Sequence, residues 1–172
     1  PDGPVGRKIY EIVDRMERRA KSVGEDMRGG QPTPGNIAGG LSSIEEKSLG
    51  AIVKSGHRPI QGVLEYTQSA QGRKGLWIKD SPGREPEILT GMAATGAQCM
   101  MFSTGRGAPQ GFPSMPVIKI CGNPNTYQRM SHDMDLNAGR IITGEKSIQE
   151  VGEAAFAHLL RVLSGEMTKN EA

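Results

Sequence analysis

The feature that most constrains this chain's fold is the order of its short apolar runs. Residues 60–66, 76–78, 99–102 and 117–121 are each too short for a buried helix, and each is bounded by glycine, proline or another turn signal. The last two, being short and bounded by turn signals, read as buried strands. Residues 85–97 interrupt the series with Ile88, Leu89, Met92 and Ala93 at helical spacing. Strands alternating with a helix imply an α/β fold, a parallel sheet flanked by helices and joined by right-handed crossovers.

Three further helices are predicted. Residues 5–23 carry Ile9, Ile12, Val13, Met16 and Ala20 on one face with charge on the other, and Gly24 stops them. Ser43 followed by Glu46 fits a capping box and opens a helix over 43–55, closed by Gly56. Ser147 and Glu150 repeat the pattern ahead of 147–164, whose apolar residues Ile148, Val151, Ala155, Phe156, Leu159 and Val162 are expected to cover one face of the sheet. Residues 25–41 show no periodicity and read as a long loop, a length usually reserved for function or disorder.

Composition narrows the function classes. A chain of 172 residues can bury one core, so a single domain over 1–172 is expected. Its 24 glycines are about twice the usual share of ~7%, and they fall at the ends of apolar segments, where α/β proteins place turns and ligand loops. Lysines and arginines number 21 against 19 acids, a net charge of +2, and no basic stripe is interleaved with aromatics, so nucleic acid is not an expected partner. Cys99 and Cys121 stand apart in apolar runs, as buried thiols of a reducing compartment do. No leader-like stretch and no apolar run near the membrane-spanning length is present, so a cytoplasmic protein without a membrane partner is expected. Pro1-Asp2-Gly3-Pro4 is a poor lead-in to a helix and suggests a fragment of a longer chain.

Three loops hold candidate chemistry. Asn36, Gly39 and Gly40 precede the helix that starts at Ser43, so free N–H groups and close backbone approach suit an anion there. Lys47 lies one turn inside, beside Glu45 and Glu46, which can cap the helix, bind a metal or orient the lysine. A plain cap with solvated neighbours is the other reading. Residues 103–111 combine Ser103, Thr104 and Arg106 with three glycines and suit a carboxylate or phosphate, or else form a mobile turn. Asp133, Asp135 and Asn137 alternate as hard oxygen ligands do, and His132 could ligate or move a proton. An EF-hand is excluded by Ala138 and Gly144 at its glycine and glutamate positions, and a turn built from Asp and Asn stays open. His57 and His158 read as structural or exposed.

Together, Pro32-Thr33-Pro34-Gly35-Asn36, Gly39-Gly40-Leu41, Glu45-Glu46-Lys47-Ser48-Leu49-Gly50, Lys54-Ser55-Gly56, Thr104-Gly105-Arg106-Gly107, Pro116-Val117-Ile118-Lys119 and Asp135-Leu136-Asn137-Ala138-Gly139 resemble the C-terminal domain of the galactarate dehydratase and altronate dehydratase family, in matching order from about Gln31 onward. The resemblance implies a hydro-lyase that converts a sugar acid to a 2-keto-3-deoxy acid with a divalent metal, iron as Fe(II) in the active form. It further implies a Rossmann-like parallel sheet with an unusual crossover, of which this chain would be the later part, with the remaining domains of the parent chain as partners. Family dimers form through another domain, so the fragment is expected to be monomeric or weakly associated.

Such a dehydration needs a group to hold the carboxylate, a base for the α-proton and an acid for the departing hydroxyl. On the matching positions, Asn36, Gly39 and Gly40 would bind a carboxylate, with Lys47 as base or electrostatic partner and Glu46 as orienting group or metal ligand. Thr104, Gly105, Arg106 and Gly107 would clamp the other end of the substrate. Asp135 and Asn137 are further metal candidates, and His132 a candidate acid. Two alternatives are a sulfolactate sulfo-lyase large subunit, which expels sulfite, and a non-catalytic binding or assembly module.

Overall fold

A computed structural model describes residues 3–38 and 41–171, and Gly39 and Gly40 lie outside the described residues. The fold is mixed α/β, with parallel strands in two small sheets flanked by helices. Backbone contacts divide the chain into two compact units, one of residues 1–66 and 70–80, the other of 67–69 and 81–172.

In the first unit, α1 (Pro4–Ser22) precedes α2 (Pro34–Ala38), α3 (Ile44–Val53) and the parallel pair β1 (Ile60–Leu64) and β2 (Leu76–Lys79). Helix α1 starts with Pro4 in its first turn, where the missing N–H costs nothing, and buries Ile12. Arg15 fastens it to the strand ends: the guanidinium donates to Glu65 at 2.6 and 3.2 Å and to Asp80 at 2.5 Å. Within the expected loop 25–41 the short helix α2 appears. Thr33 and Asn36 exchange bonds across its first turn, the Asn36 N–H donating to Thr33 Oγ1 and the Thr33 N–H to Asn36 Oδ1, and Pro34 sits at the first helical position.

The second unit carries α4 (Glu85–Ala94), β3 (Met100–Thr104), β4 (Val117–Cys121), α5 (Pro124–Arg129), β5 (Leu136–Asn137), a 3-10 turn (Ala138–Ile141) and α6 (Ile148–Leu163). The strands pair in parallel in the order β3-β4-β5. Leu89 of α4 packs on Met115 and Val117, with Met92, Met100, Phe102 and Phe112 around them. The middle strand β4 is the most enclosed, with Val117, Ile118, Lys119 and Cys121 buried; Cys99, in contrast to the expected buried thiol, is only half-buried ahead of β3.

Helix α6 has the full capping box, Ser147 and Glu150 bonding reciprocally. Its apolar face is less covered than the sequence pattern implies: Val162 is buried, Val151, Ala155 and Leu159 are half-buried, while Ile148 and Phe156 are 76% and 60% exposed. The reason is placement, because the principal contact of α6 is the 3-10 turn instead of a strand face.

Candidate functional site

The carboxyl ends of the three strands form one row. Thr104 pairs with Cys121, and Cys121 with Asn137, so these residues stand side by side at the edge beyond which ligands bind in open α/β sheets. The ladder runs one residue further, the Gly122 N–H donating to the Thr104 carbonyl at 2.9 Å.

From this edge rises the 104–108 loop. Its first turn is closed by the Gly107 N–H donating to Thr104 Oγ1 at 3.1 Å. Gly107 has φ +90°, a backbone conformation that favours glycine, and a Cβ there would push the flexible end of the Met130 side chain aside. Ala108 is buried next to it, and its carbonyl accepts from Lys119 Nζ at 2.6 Å. Pro109 is held by the Asn170 side-chain amide, which donates to its carbonyl. Between these fixed points Gly105 and Arg106 are exposed. A hydroxyl and a forked guanidinium on a pinned loop suit a planar carboxylate.

Lys119, named in the sequence only as part of the Pro116-Val117-Ile118-Lys119 motif, is bonded to this loop. It is 1% exposed in the middle strand, an uncommon place for a charge. Burial pushes its ammonium down from the ordinary 10.5 to about 8, against the opposing pull of Asp135, Asp133 and Glu85. The signal was one charged residue inside an otherwise apolar strand run, which requires an internal partner.

The expected metal candidates are engaged locally. Asp135 accepts from the backbone N–H of Lys119 at 2.6 Å through Oδ2 and from that of Lys169 at 2.9 Å through Oδ1. Asn137 Oδ1 accepts from the Gly139 N–H at 3.0 Å and caps the 3-10 turn. Among the described residues no three His, Cys, Asp or Glu side chains converge as a metal centre. The donor set among the described residues therefore does not by itself make up a divalent-metal centre. His132 is exposed in the turn leading into the amino end of β5, whereas Thr104, Cys121 and Asn137 share the carboxyl edge. His158 is buried, with Arg161 beside its Nδ1 at 2.9 Å.

In the first unit, Lys47 and Asn36 are brought together. Lys47 Nζ donates to Asn36 Oδ1 at 3.0 Å and to the side-chain carbonyl of Gln31, so the lysine ties helix α3 to α2 and to the segment before it. Glu46 does not complete the expected capping box. Ser43 Oγ accepts from the Glu46 N–H at 3.2 Å, but the Glu46 carboxylate reaches one residue further back, to the Ser42 N–H at 2.8 Å and the Ser42 hydroxyl. These two donors, the hydroxyl first, hold the Glu46 carboxyl below its ordinary range.

A cleft of about 670 Å³ lies along β5, the 3-10 turn and α6, lined in part by Tyr127, Asn137, Arg140 and Lys146. It is separate from the 104–108 loop. Its cations are already paired, Lys146 with Glu150 at 2.6 Å and Arg140 with Glu145 at 3.2 Å.

Residues 2–172 match the family described as D-galactarate/altronate dehydratase, C-terminal. The chain is 42% identical over 165 residues to the beta subunit of (2R)-sulfolactate sulfo-lyase of Chromohalobacter salexigens, covering 95% of the chain and 42% of that subunit. It is 37% identical over 162 residues to the L-threo-forming galactarate dehydratase of Escherichia coli, covering 94% of the chain and 31% of that enzyme. With the altronate dehydratase of Bacillus subtilis it shares 35% over 140 residues, 81% of the chain and 28% of the enzyme. The chain thus spans less than half the length of these relatives. No helix among the described residues is long and apolar enough to cross a membrane. With the family match running over nearly its whole length, the chain belongs to the D-galactarate/altronate dehydratase C-terminal family.

Proposed function

We propose that the protein containing this chain is a cytoplasmic hydro-lyase that dehydrates a sugar acid such as galactarate or altronate to a 2-keto-3-deoxy acid. The observation that carries the reading is the pinned loop with Thr104 and Arg106 at the carboxyl edge of the sheet, in a chain of this family. In the reaction a base takes the proton from the carbon bearing the carboxylate and a hydroxyl, the neighbouring hydroxyl leaves as water with a proton from an acid, and the enol becomes the ketone. Holding the carboxylate is the demanding part, because negative charge builds there as the C–H bond breaks.

In this reading Thr104 donates its hydroxyl hydrogen and Arg106 its fork to a substrate carboxylate, with Gly105 and Gly107 allowing close approach. Asn36 and Lys47 form a polar pair in the first unit, with Lys47 as electrostatic partner. Glu46, already bonded to Ser42, orients the start of α3. His132 is retained as a candidate acid because it is exposed and uncommitted to a cap. A divalent metal such as Fe(II) would stabilise the enediolate when bound, with ligands supplied from outside this chain's described residues.

A second reading is supported by the 42% identity to the sulfo-lyase beta subunit. In that case the same proton is removed and sulfite, not water, leaves the neighbouring carbon, so the carboxylate-holding loop serves either reaction. Anaerobic turnover by the intact protein with Fe(II), offered galactarate, altronate, glucarate and sulfolactate, tests both. Keto acid from a sugar acid supports the dehydratase, sulfite from sulfolactate moves the protein to the second reading, and no product from any acid leaves a binding or assembly module.

A further inference from the structure

We propose that Lys119 is the positioning residue of the acid-binding loop: its buried ammonium, bonded to the Ala108 carbonyl, holds residues 104–108 in the shape that presents Arg106 to a carboxylate. This role rests on the reading of that loop as the acid-binding element.

The geometry is that of a clamp with two jaws. On one side Thr104 is fixed in the ladder opposite Cys121, and its hydroxyl takes the Gly107 N–H. On the other side Ala108 is buried, and the donor given to its carbonyl among the described residues is Lys119 Nζ, at 2.6 Å. Lys119 itself cannot drift, because its backbone is fixed in the middle strand opposite Phe102 and its N–H donates to Asp135. The ammonium is therefore a fixed post and the loop is tied to it. The only long side chain between the two jaws is that of Arg106, which is exposed.

Burying an ammonium is unfavourable unless something specific is gained, and a hydrophobic residue would fill the same strand position at lower cost. A methionine or leucine there would leave the buried Ala108 carbonyl without its donor, and the loop would be free to turn its carbonyl toward water. The backbone that carries Arg106 would then no longer be held in one shape, and a bidentate grip depends on where that backbone places the guanidinium. Lys119 does not need to touch substrate for this.

The test uses the intact protein and two readouts. Amide hydrogen exchange over residues 104–111 should quicken about tenfold or more in Lys119→Met, the scale on which loss of a charge-assisted bond acts, while exchange in α6 stays unchanged. In turnover of the accepted acid, Lys119→Met should raise KM with kcat changed far less, and the pair Lys119→Met with Arg106→Ala should be no worse than Arg106→Ala alone, because the clamp acts through that arginine. Lys119→Gln, whose amide stops short of Ala108, should act in the same direction and serves if the methionine variant does not fold. Unchanged exchange in 104–111 overturns the clamp whether or not any acid is turned over. Faster exchange with KM effects of the two substitutions that simply multiply overturns the positioning role. Should no acid be turned over, the functional reading falls and the exchange result alone decides the clamp.

Discussion

A buried lysine in the central strand should give this protein an alkaline rise in stability. Lys119 is 1% exposed, and burial takes its ammonium from 10.5 to about 8 in the fold. Between those values the unfolded chain holds the proton and the folded chain does not, so the unfolded state binds more protons and stability increases with pH. Below about pH 8 both states carry the charge, and the full penalty of keeping it buried applies. Working the two-site linkage from these values, the penalty falls by about 2.5 kcal/mol between about pH 7 and pH 10, with roughly half of that change complete by about pH 9. The assay is urea unfolding of the chain followed by far-ultraviolet circular dichroism at each pH, with Lys119→Met measured alongside. The variant cannot titrate there, and other alkaline groups act on both proteins, so the difference between the two isolates Lys119. A difference that stays flat within about 0.5 kcal/mol over this range would refute the reasoning, since it would mean that Lys119 keeps its ordinary proton affinity in the fold. A difference that moves against the wild type would do the same.

Other expectations concern the loop and the caps. Arg106→Ala should raise KM for the accepted acid about tenfold to a hundredfold, and Arg106→Lys should recover part of this, charge being kept and the fork lost; steady-state kinetics with KM unchanged in both would remove Arg106 from the site. Gly107→Ala should lower stability by about 1–3 kcal/mol, because alanine is strained at φ +90°, and a thermal midpoint equal to wild type would contradict that strain. Ser147→Ala should cost about 1 kcal/mol through loss of the α6 cap, read as a lower urea midpoint with the slope unchanged. Lys47→Ala should speed exchange around α2 several-fold without altering 104–111, since its partners are Asn36 and Gln31; an unchanged rate at α2 would show that the tie contributes nothing.

What the sequence made legible followed from period and punctuation. Ile9, Ile12 and Met16 announce α1, and Ser147 with Glu150 announces α6, because a stripe or a reciprocal cap is a local property that packing leaves intact. The two short helices α2 and α5 escaped because neither is long enough to show a stripe. Both carry the same local signature, a capping side chain followed by proline: Thr33-Pro34 and Asn123-Pro124, where Asn123 Oδ1 accepts from the N–H groups of Asn125 and Thr126. For the alternating Asp133, Asp135 and Asn137, spacing alone does not say where the oxygens point. In the fold Asp135 and Asn137 bond to backbone N–H groups of Lys119, Lys169 and Gly139, a demand set by strand order and by a tail more than thirty residues away. Lys119 was legible in principle, as a charge among Val117, Ile118 and Ile120, but its partner Ala108 could be named only once β3 and β4 were aligned.

The tail bond to Asp135 has a consequence for limited proteolysis. Lys169 donates its N–H to Asp135, and the neighbouring Asn170 holds the Pro109 carbonyl, so two successive residues after α6 tie down the sheet edge and the far end of the 104–108 loop. A protease that trimmed the chain back to α6 would cut no residue of that loop, yet it would release one of its anchors and leave one oxygen of Asp135 without its N–H donor. Loss of acid binding after such trimming would be damage at a distance in sequence and at no distance in space.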